Sequence, residues 1–410
     1  MNPNLPILVA IPFFLIAIGI ELWFQKRKNQ KWYRLNDAIT NLNIGIGNQV
    51  FSLFIKAILL WSYAYTLNKF AIFQLDDTWY NFLICILLFD FLFYWAHRWS
   101  HEVNFLWGAH VVHHSSEEYN LSVALRQSWI HNLIAFFIFL PIPIIGFHPQ
   151  TFILAASLHT LYQFWIHTKA IGKLHPWIEF WLNTPSHHRV HHGVNPQYID
   201  KNHGGVLIIW DRLFGTFEEE KEEVKYGITQ NINSWNPAWA NWHYYQEMWE
   251  KIQKAPNLWL KIKVFFAKPG WDPITNSIPE YTVNLKKTVF DTKFPKVFQN
   301  YVLVQFSLSV IALCAFIWYY EELSWFFRIS NAILILITGI ICGGIFENKK
   351  WVSNIEYLRL VLVLLNLNVM YYHHFPHWFY IMFIFSLICF LLLCIWFYRN
   401  NQCLKPQDIH

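Results

Sequence analysis

Charge is what this chain of 410 residues has least of: Asp, Glu, Lys and Arg together make up 14%, against roughly 25% in a typical soluble domain. So little water-facing surface excludes a disordered protein, a collagen-like fibre and an ordinary cytosolic enzyme. The net charge of +5 is small, and the basic residues come in short groups rather than one stripe. That pattern argues for no nucleic-acid partner. Cysteine is scarce too. Five of the six (Cys85, Cys314, Cys342, Cys389, Cys394) sit in or beside apolar runs, Cys403 is in the tail, and no CxxC pair occurs. Neither a disulfide framework nor a cysteine zinc site is indicated, and the thiols read as small hydrophobes. Internal repeats and low-complexity tracts are missing. The first apolar run has neither a basic stretch before it nor a small-residue cleavage site after it, so it reads as a retained anchor rather than a signal peptide.

What is present in excess is hydrophobic length. The chain is 55% hydrophobic and 20% aromatic, and a run of about 20 apolar residues suffices to cross a bilayer. Candidate spans lie at 6–24, 45–66, 79–96, 129–147, 149–167, 300–320, 329–347, 357–372 and 378–398. The expected fold is therefore all-α: a polytopic membrane bundle of about nine spans. Pro141, Pro143 and Pro149 interrupt the pair at 129–167, which leaves a re-entrant hairpin open there. Lys26, Arg27, Lys28, Lys31 and Arg34 follow the first span with no charge ahead of it. The positive-inside rule then puts the N-terminus outside and this group in the cytoplasm. Lys69 against Asp76 and Asp77 in an outer loop, Lys349 and Lys350 in an inner one, and Arg399 at the start of the tail agree. The host membrane is bacterial inner membrane or endoplasmic reticulum. The expected division is 1–78 (N-terminal spans), 79–220 (catalytic core), 221–299 (cytoplasmic or interfacial segment) and 300–410 (four-span unit and tail). Within the third, 235–268 carries five tryptophans among Lys and Glu. It reads either as an amphipathic helix at the membrane surface or as an aromatic packing face.

Histidine is the second excess. Of 20, fifteen fall between His97 and His203. His97-x3-His101, His110-x2-His113-His114 and His188-x2-His191-His192 stand at the cytoplasmic ends of expected spans. Residues at i, i+3 and i+4 share a helix face, so each cluster is expected to aim its imidazoles at one point. Eight ligands exceed what one metal takes, since a catalytic zinc uses three and a structural zinc four; two metals fit the number. Imidazole alone does not choose among Zn, Cu, Fe and Ni, and haem would explain only a pair. His167 ends a span on the same face and is a candidate ninth ligand. His187 is expected to hydrogen-bond near the third cluster. His131, His148 and His159 read as packing residues, His203 as loop with an active-site place as the alternative, and His373, His374 and His377 as interfacial on the outer side. His175, His243 and His410 fit no pattern. Asp90 is an acid inside a span, two helical turns before His97; it is expected to orient an imidazole, with a polar contact in helix packing as the alternative. Glu102 directly follows His101; a substrate or cofactor contact and a solvated acid are both open.

These clusters, with Gln163-Phe-Trp-Ile-His167 and Asn183-Thr-Pro-Ser-His-His-Arg-Val-His-His192, resemble the fatty acid hydroxylase/sterol desaturase superfamily. His113-His-Ser-Ser-Glu-Glu-Tyr-Asn120, Ala124-Leu-Arg-Gln-Ser128, Asp200-Lys-Asn-His-Gly-Gly205, Val206-Leu-Ile-Ile-Trp-Asp211, Leu213-Phe-Gly-Thr-Phe217 and Pro269-Gly-Trp271 are similar to its ether-lipid-cleaving members. The similarity covers roughly 30–275. The resemblance implies a helical membrane bundle capped by a cytoplasmic diiron centre on the eight clustered histidines. It adds two nitrogen donors between the second and third clusters, of which only His167 is matched, because Gln163 stands in the other place. It further implies O2-dependent hydroxylation of a membrane lipid beside an ether oxygen, with tetrahydropterin or a redox protein as electron donor. A sterol or fatty-acyl hydroxylase or desaturase is the alternative within the superfamily. Outside it stand a metal transporter and a lipid-binding protein with structural zinc. Transporters place their ligands near the bilayer midplane, whereas these clusters sit at span ends.

Overall fold

The computed structural model describes residues 5–279, 288–400 and 403. Among them every regular element is helical, and extended pairing is limited to three isolated bridges. The helices are α1 (Leu5–Arg27), α2 (Leu35–Phe70), α3 (Trp79–Glu102), α4 (Asn104–His114), α5 (Leu121–Ala124), α6 (His131–Ala135), α7 (Pro141–Ile145) and α8 (Pro149–Trp165). Then follow α9 (Pro176–Trp181), α10 (Pro185–His191), α11 (Ile209–Phe214), α12 (Pro237–Lys254), α13 (Leu258–Phe266), α14 (Val297–Tyr319), α15 (Trp325–Phe346), α16 (Val352–His374) and α17 (Phe379–Asn400).

Seven helices among the described residues are long and apolar enough to cross a membrane: α1, α2, α3 and α14 to α17. The chain is a multi-pass membrane protein. The expected spans at 129–147 and 149–167 do not reach that length. Pro141 and Pro143 divide the first into α6, a 3-10 turn at Phe136–Phe139, and α7; a proline ring clashes with the carbonyl four residues back. The second is α8, 17 residues, or about 26 Å at 1.5 Å per residue. In compensation α2 is longer than expected, 36 residues, roughly 54 Å against a hydrocarbon core near 30 Å. Its first turns carry the buried polar residues Asp37, Asn41 and Asn48, which bond to the loops around the histidines instead of to lipid.

The chain divides into two compact units. The larger comprises Ile16–Ile232 and Ala240–Phe290. In it α3 packs against α4 and α8, and Phe89, Tyr63, Phe147 and Ala155 form an apolar core between the spans. Polar ties fix the loops. Asp37 accepts from Ser116 Oγ and from Asn41 Nδ2 (2.9 and 2.8 Å), and Asn41 Oδ1 accepts from Arg126 Nη1 (2.9 Å). Glu21, buried near the end of α1, accepts from Leu121 N–H (2.9 Å) and from the hydroxyls of Tyr33 and Thr168. Gly47 lets α2 approach the Trp129 ring, whose Nε1 stands 2.1 Å from where a Cβ would sit.

The smaller unit comprises Met1–Leu15, Asn233–Trp239 and Asp291–His410. Successive helices α14 to α17 pack on one another. Their interior holds an ion pair: Arg359 donates to both Glu356 oxygens (2.8 and 2.6 Å), to Gln305 Oε1 (2.8 Å) and to Thr338 Oγ1 (3.2 Å), and Tyr301 caps the carboxylate. A charge in a bilayer persists only when paired in this way.

Candidate metal centre

Three helices and one turn deliver nine imidazoles to one place. His97 and His101 occupy the last turns of α3; His110, His113 and His114 end α4; His188 and His191 lie on α10, with His192 as its C-cap; His167 follows α8. They sort into two groups, His97, His101, His110, His114 and His191, and His113, His167, His188 and His192. Within each group one ring nitrogen per residue lies within 4.8 Å of all the others, and every residue is buried. The clusters therefore do not each aim at one point. Pairs at i and i+4 (97/101, 110/114, 188/192) stay together, whereas His113 and His191, at i+3, cross to the other group. Successive residues on a helix are roughly 100° apart, so His113 and His114 face opposite centres. His167 completes the four-membered group.

Backbone carbonyls set the tautomers. His97 Nδ1 donates to His203 O (2.8 Å), His191 Nδ1 to Lys201 O (2.9 Å) and His167 Nδ1 to Gln163 O (2.7 Å), while His113 Nδ1 stands 3.2 Å from Arg126 O. A proton fixed on Nδ1 turns the Nε2 lone pair inward. Inside, Nε2 atoms crowd one another: His97 to His110 at 3.0 Å, His110 to His114 at 3.1 Å, and His188 to His167 at 2.9 Å. Nε2 of His101, His191 and His192 is buried with no hydrogen-bond partner. Lone pairs gathered and orphaned in this way suit a cation, and an all-imidazole shell suits a first-row transition metal. Burial, followed by the neighbouring imidazoles, pushes His110, His113, His114, His188, His191 and His192 well below the ordinary histidine pKa of 6.5. The rings are held neutral, the form that ligates.

Residues 200–204 make a loop whose role the sequence did not disclose. Its carbonyls hold His97 and His191, and Asp200 Oδ1 lies 3.4 Å from His101 Nδ1. Asp200 and Asn202 both take φ of +57°, in the left-handed region, which Asx residues tolerate better than most. Asp211 anchors the turn. It accepts from the N–H groups of His203 and Gly204 and from Thr216 Oγ1, each at 2.7 Å, and burial raises its carboxyl to about 6. His203, expected to be plain loop, is fully buried, its ring 5.0 Å from that of His101. The one legible signal was the Asp200–Gly205 motif itself.

Asp90 orients none of the nine. Its carboxylate accepts from His159 Nε2 (2.8 Å), Val206 N–H (2.7 Å), Leu207 N–H (3.2 Å) and Trp210 Nε1 (2.8 Å). Seven helical residues separate it from His97 by about 10.5 Å along the axis, too far to touch. Glu102 is 30% exposed, paired with Arg98 at 3.0 Å and in neither histidine group. His187 pairs with Glu179 (3.0 Å) and caps α10 instead of reaching a ligand. His159 is a core residue through Asp90, and His148 lies beside Asp77 at 3.4 Å. His131 comes nearer than expected, its ring 6.0 Å from that of His110. His373 and His377 are exposed at the far end of α16 and just beyond it. The side chain of His374, and His410, lie outside the described residues.

The fatty acid hydroxylase family model matches residues 82–216, a stretch containing all nine imidazoles, Asp200 and Asp211. The alkylglycerol monooxygenase of Homo sapiens is 36% identical over 376 residues, covering 87% of this chain and 81% of its own. The chain belongs to the alkylglycerol monooxygenase family. Another of its members, the alkylglycerol monooxygenase of Caenorhabditis elegans, is 31% identical over 83% of this chain and 72% of its own. A cholesterol 25-hydroxylase-like protein of Danio rerio is 27% identical over 33% of this chain and 55% of its own. The family likeness thus extends well beyond the histidine core. No solved structure matches the chain.

Proposed function

We propose that this membrane protein is an O2-dependent alkylglycerol monooxygenase that holds iron in both histidine groups and draws electrons from a tetrahydropterin. The observation that carries the metal reading is the pair of inward-facing imidazole groups, five and four strong, on two centres that share helices. Likeness to alkylglycerol monooxygenases over most of both chains carries the substrate. Two irons bound there would supply dioxygen activation. One oxygen atom enters the C–H bond next to the ether oxygen, the other leaves as water with two electrons and two protons from the donor, and the hemiacetal collapses to a fatty aldehyde and a glycerol.

The chain's own residues hold the imidazoles neutral and oriented through the carbonyls of Gln163, Lys201 and His203, and bury them from water. The spans keep the alkyl chain in the bilayer. The charge pattern supports an outside N-terminus and a cytoplasmic histidine face. Because 129–147 and 149–167 drop out as a pair, the parity of crossings, and with it this orientation, is unchanged. The test is metal analysis of the purified protein with turnover of an alkylglycerol, with and without tetrahydropterin. Two irons and pterin-dependent aldehyde release support the reading. Iron with pterin-independent oxidation of a sterol or fatty-acyl lipid replaces it with the other branch of the superfamily, and bound zinc without oxidation refutes it.

A further inference from the structure

Between α11 and α14 the chain makes two helices, α12 and α13, too short or too polar to span. Their inner faces are accounted for: Tyr244 and Met248 of α12 and Val264 of α13 pack with Val111 of α4 and Trp271. Their outer faces are apolar as well. Trp242 and Trp249 of α12 are 64% and 58% exposed, and Leu258, Trp259 and Phe266 of α13 are 70–73% exposed. At about 150–250 Å² per large side chain these five offer roughly 700 Å² of uncovered surface, above what a soluble monomer usually shows.

Two independent observations say what covers them. The first is height. Asn104 stands two residues past the end of the membrane span α3, and it is bonded to the far end of α13: its N–H donates to Ala267 O (2.9 Å) and its Nδ2 to Val264 O (2.8 Å). A helix tied to the point where a span leaves the hydrocarbon lies at the water–lipid boundary. The aromatic surface is continuous there, because Phe105, 37% exposed, has its ring 5.9 Å from Tyr245 and 6.3 Å from Phe265. The second is charge. Residues 240–268 carry five lysines against two glutamates, and one lysine, Lys251, is paired with Glu247 at 2.8 Å. Tryptophan with surplus lysine is the composition of a helix lying in an anionic interface.

We propose that α12 and α13 lie flat in the bilayer leaflet where α3 ends, with Trp242, Trp249, Trp259 and Phe266 among the acyl chains and the lysines at the head groups. The occupant of this face is the lipid surface of the membrane that holds the spans. Because Val264 and Asn104 join this paddle to the start of α4, the helix of His110, His113 and His114, the leaflet surface sets the depth of the histidines.

The test uses the full-length metal-loaded protein in nanodiscs of phosphatidylcholine with a minor fraction of phosphatidylglycerol. A trace of phosphatidylcholine carries a diazirine on its acyl chain near the glycerol. After illumination, peptide mass spectrometry should find adducts on Trp242, Trp249, Trp259 and Phe266 within about threefold of the yield on Leu83 and Leu87, which are exposed on the span α3. The water-facing stretch 218–223 should stay unlabelled. Omitting the anionic lipid should lower the labelling of α12 and α13 but not of α3. Labelling of Leu83 and Leu87 with none on α12 and α13 overturns the proposal. So does cross-linking of these residues to a second copy of the chain, which would make the face a protein interface. Neither outcome depends on whether the enzyme turns over, so failure here is separable from failure of the proposed activity.

Discussion

Asp211→Asn should loosen one metal and spare the other. The carboxylate shares three donors between its two oxygens, His203 N–H and Thr216 Oγ1 on one and Gly204 N–H on the other, all at 2.7 Å. Asparagine turns one of those oxygens into a donor, so whichever way the amide is turned, at least one buried N–H or O–H faces another. A hydrogen bond to a charged group is worth about 1.5–3 kcal/mol, and the substitution returns part of that by removing a carboxylate that burial already disfavours. What remains corresponds to roughly a tenfold to hundredfold loss of affinity. The loss is directional, because His97 and His191 lean on the carbonyls of His203 and Lys201, whereas His167 leans on Gln163 and His113 on Arg126. Anaerobic titration of the metal-free protein with ferrous ion against a chromophoric chelator resolves the two steps. Only the step belonging to the five-histidine group should weaken. Equal weakening of both, or no change in either, refutes the assignment of this loop to one centre.

Acid should destabilise the metal-free protein. The six depressed histidines remain neutral when folded, while the unfolded chain takes up protons below 6.5; stability therefore rises with pH up to about 6.5 and is lost as pH falls toward the folded values. Asp211, raised from 3.8 to about 6, and Glu118, whose carboxyl burial also raises, work in the opposite direction, two groups against six. A melting temperature that stays flat from neutral pH to pH of about 5 would contradict the burial of these rings. Glu102→Gln should leave the bound-metal ratio unchanged, whereas His167→Ala should cut it from two toward one, read by elemental analysis; a loss with Glu102→Gln would move that acid into the centre. In the four-span unit, Glu356→Ala strands the Arg359 charge and should cost about 3–5 kcal/mol, while Glu356→Gln with Arg359→Met should cost far less. Thermal unfolding in detergent that ranks the double variant below the single one would show that the pair is not the buried unit described.

The histidine pattern was legible because helical spacing survives folding: residues three and four apart reach the same end of the same helix whatever packs around it. What spacing could not say is that i+3 and i+4 serve different centres. On α4 the rings of His113 and His114 diverge from the position of His110 on opposite sides, and only the arrival of α3, α8 and α10 reveals a receiver on each. Asp90 marks the limit of the same reasoning: the imidazole it holds is that of His159 on α8. Sharing a face with His97 was correct helical geometry, but a short carboxylate seven residues away cannot reach that ring, and the nearer claim came from residues 206–210, remote in sequence. The loop at 200–204 has no periodicity to read, since its work is done by main-chain carbonyls, and Asp211 serves it through a carboxylate on α11, outside every histidine cluster. The spans were legible by length except where prolines broke them. There composition alone could not distinguish a crossing from the short helices α6, α7 and α8.

The division of neighbouring histidines between the two groups has a consequence for how the centre can vary. His113 and His114, and likewise His191 and His192, are joined by a single peptide bond yet belong to different groups. The spacing of the two groups is thereby written into two short covalent rulers instead of into side-chain packing alone. Insertion of one residue inside either ruler turns the later ring of that pair, His114 or His192, by about 100° away from its own group while the earlier ring stays in the other. Gradual drift in the distance between the two groups has no route through such a design, although a ligand within one group, such as His167, can still be altered alone.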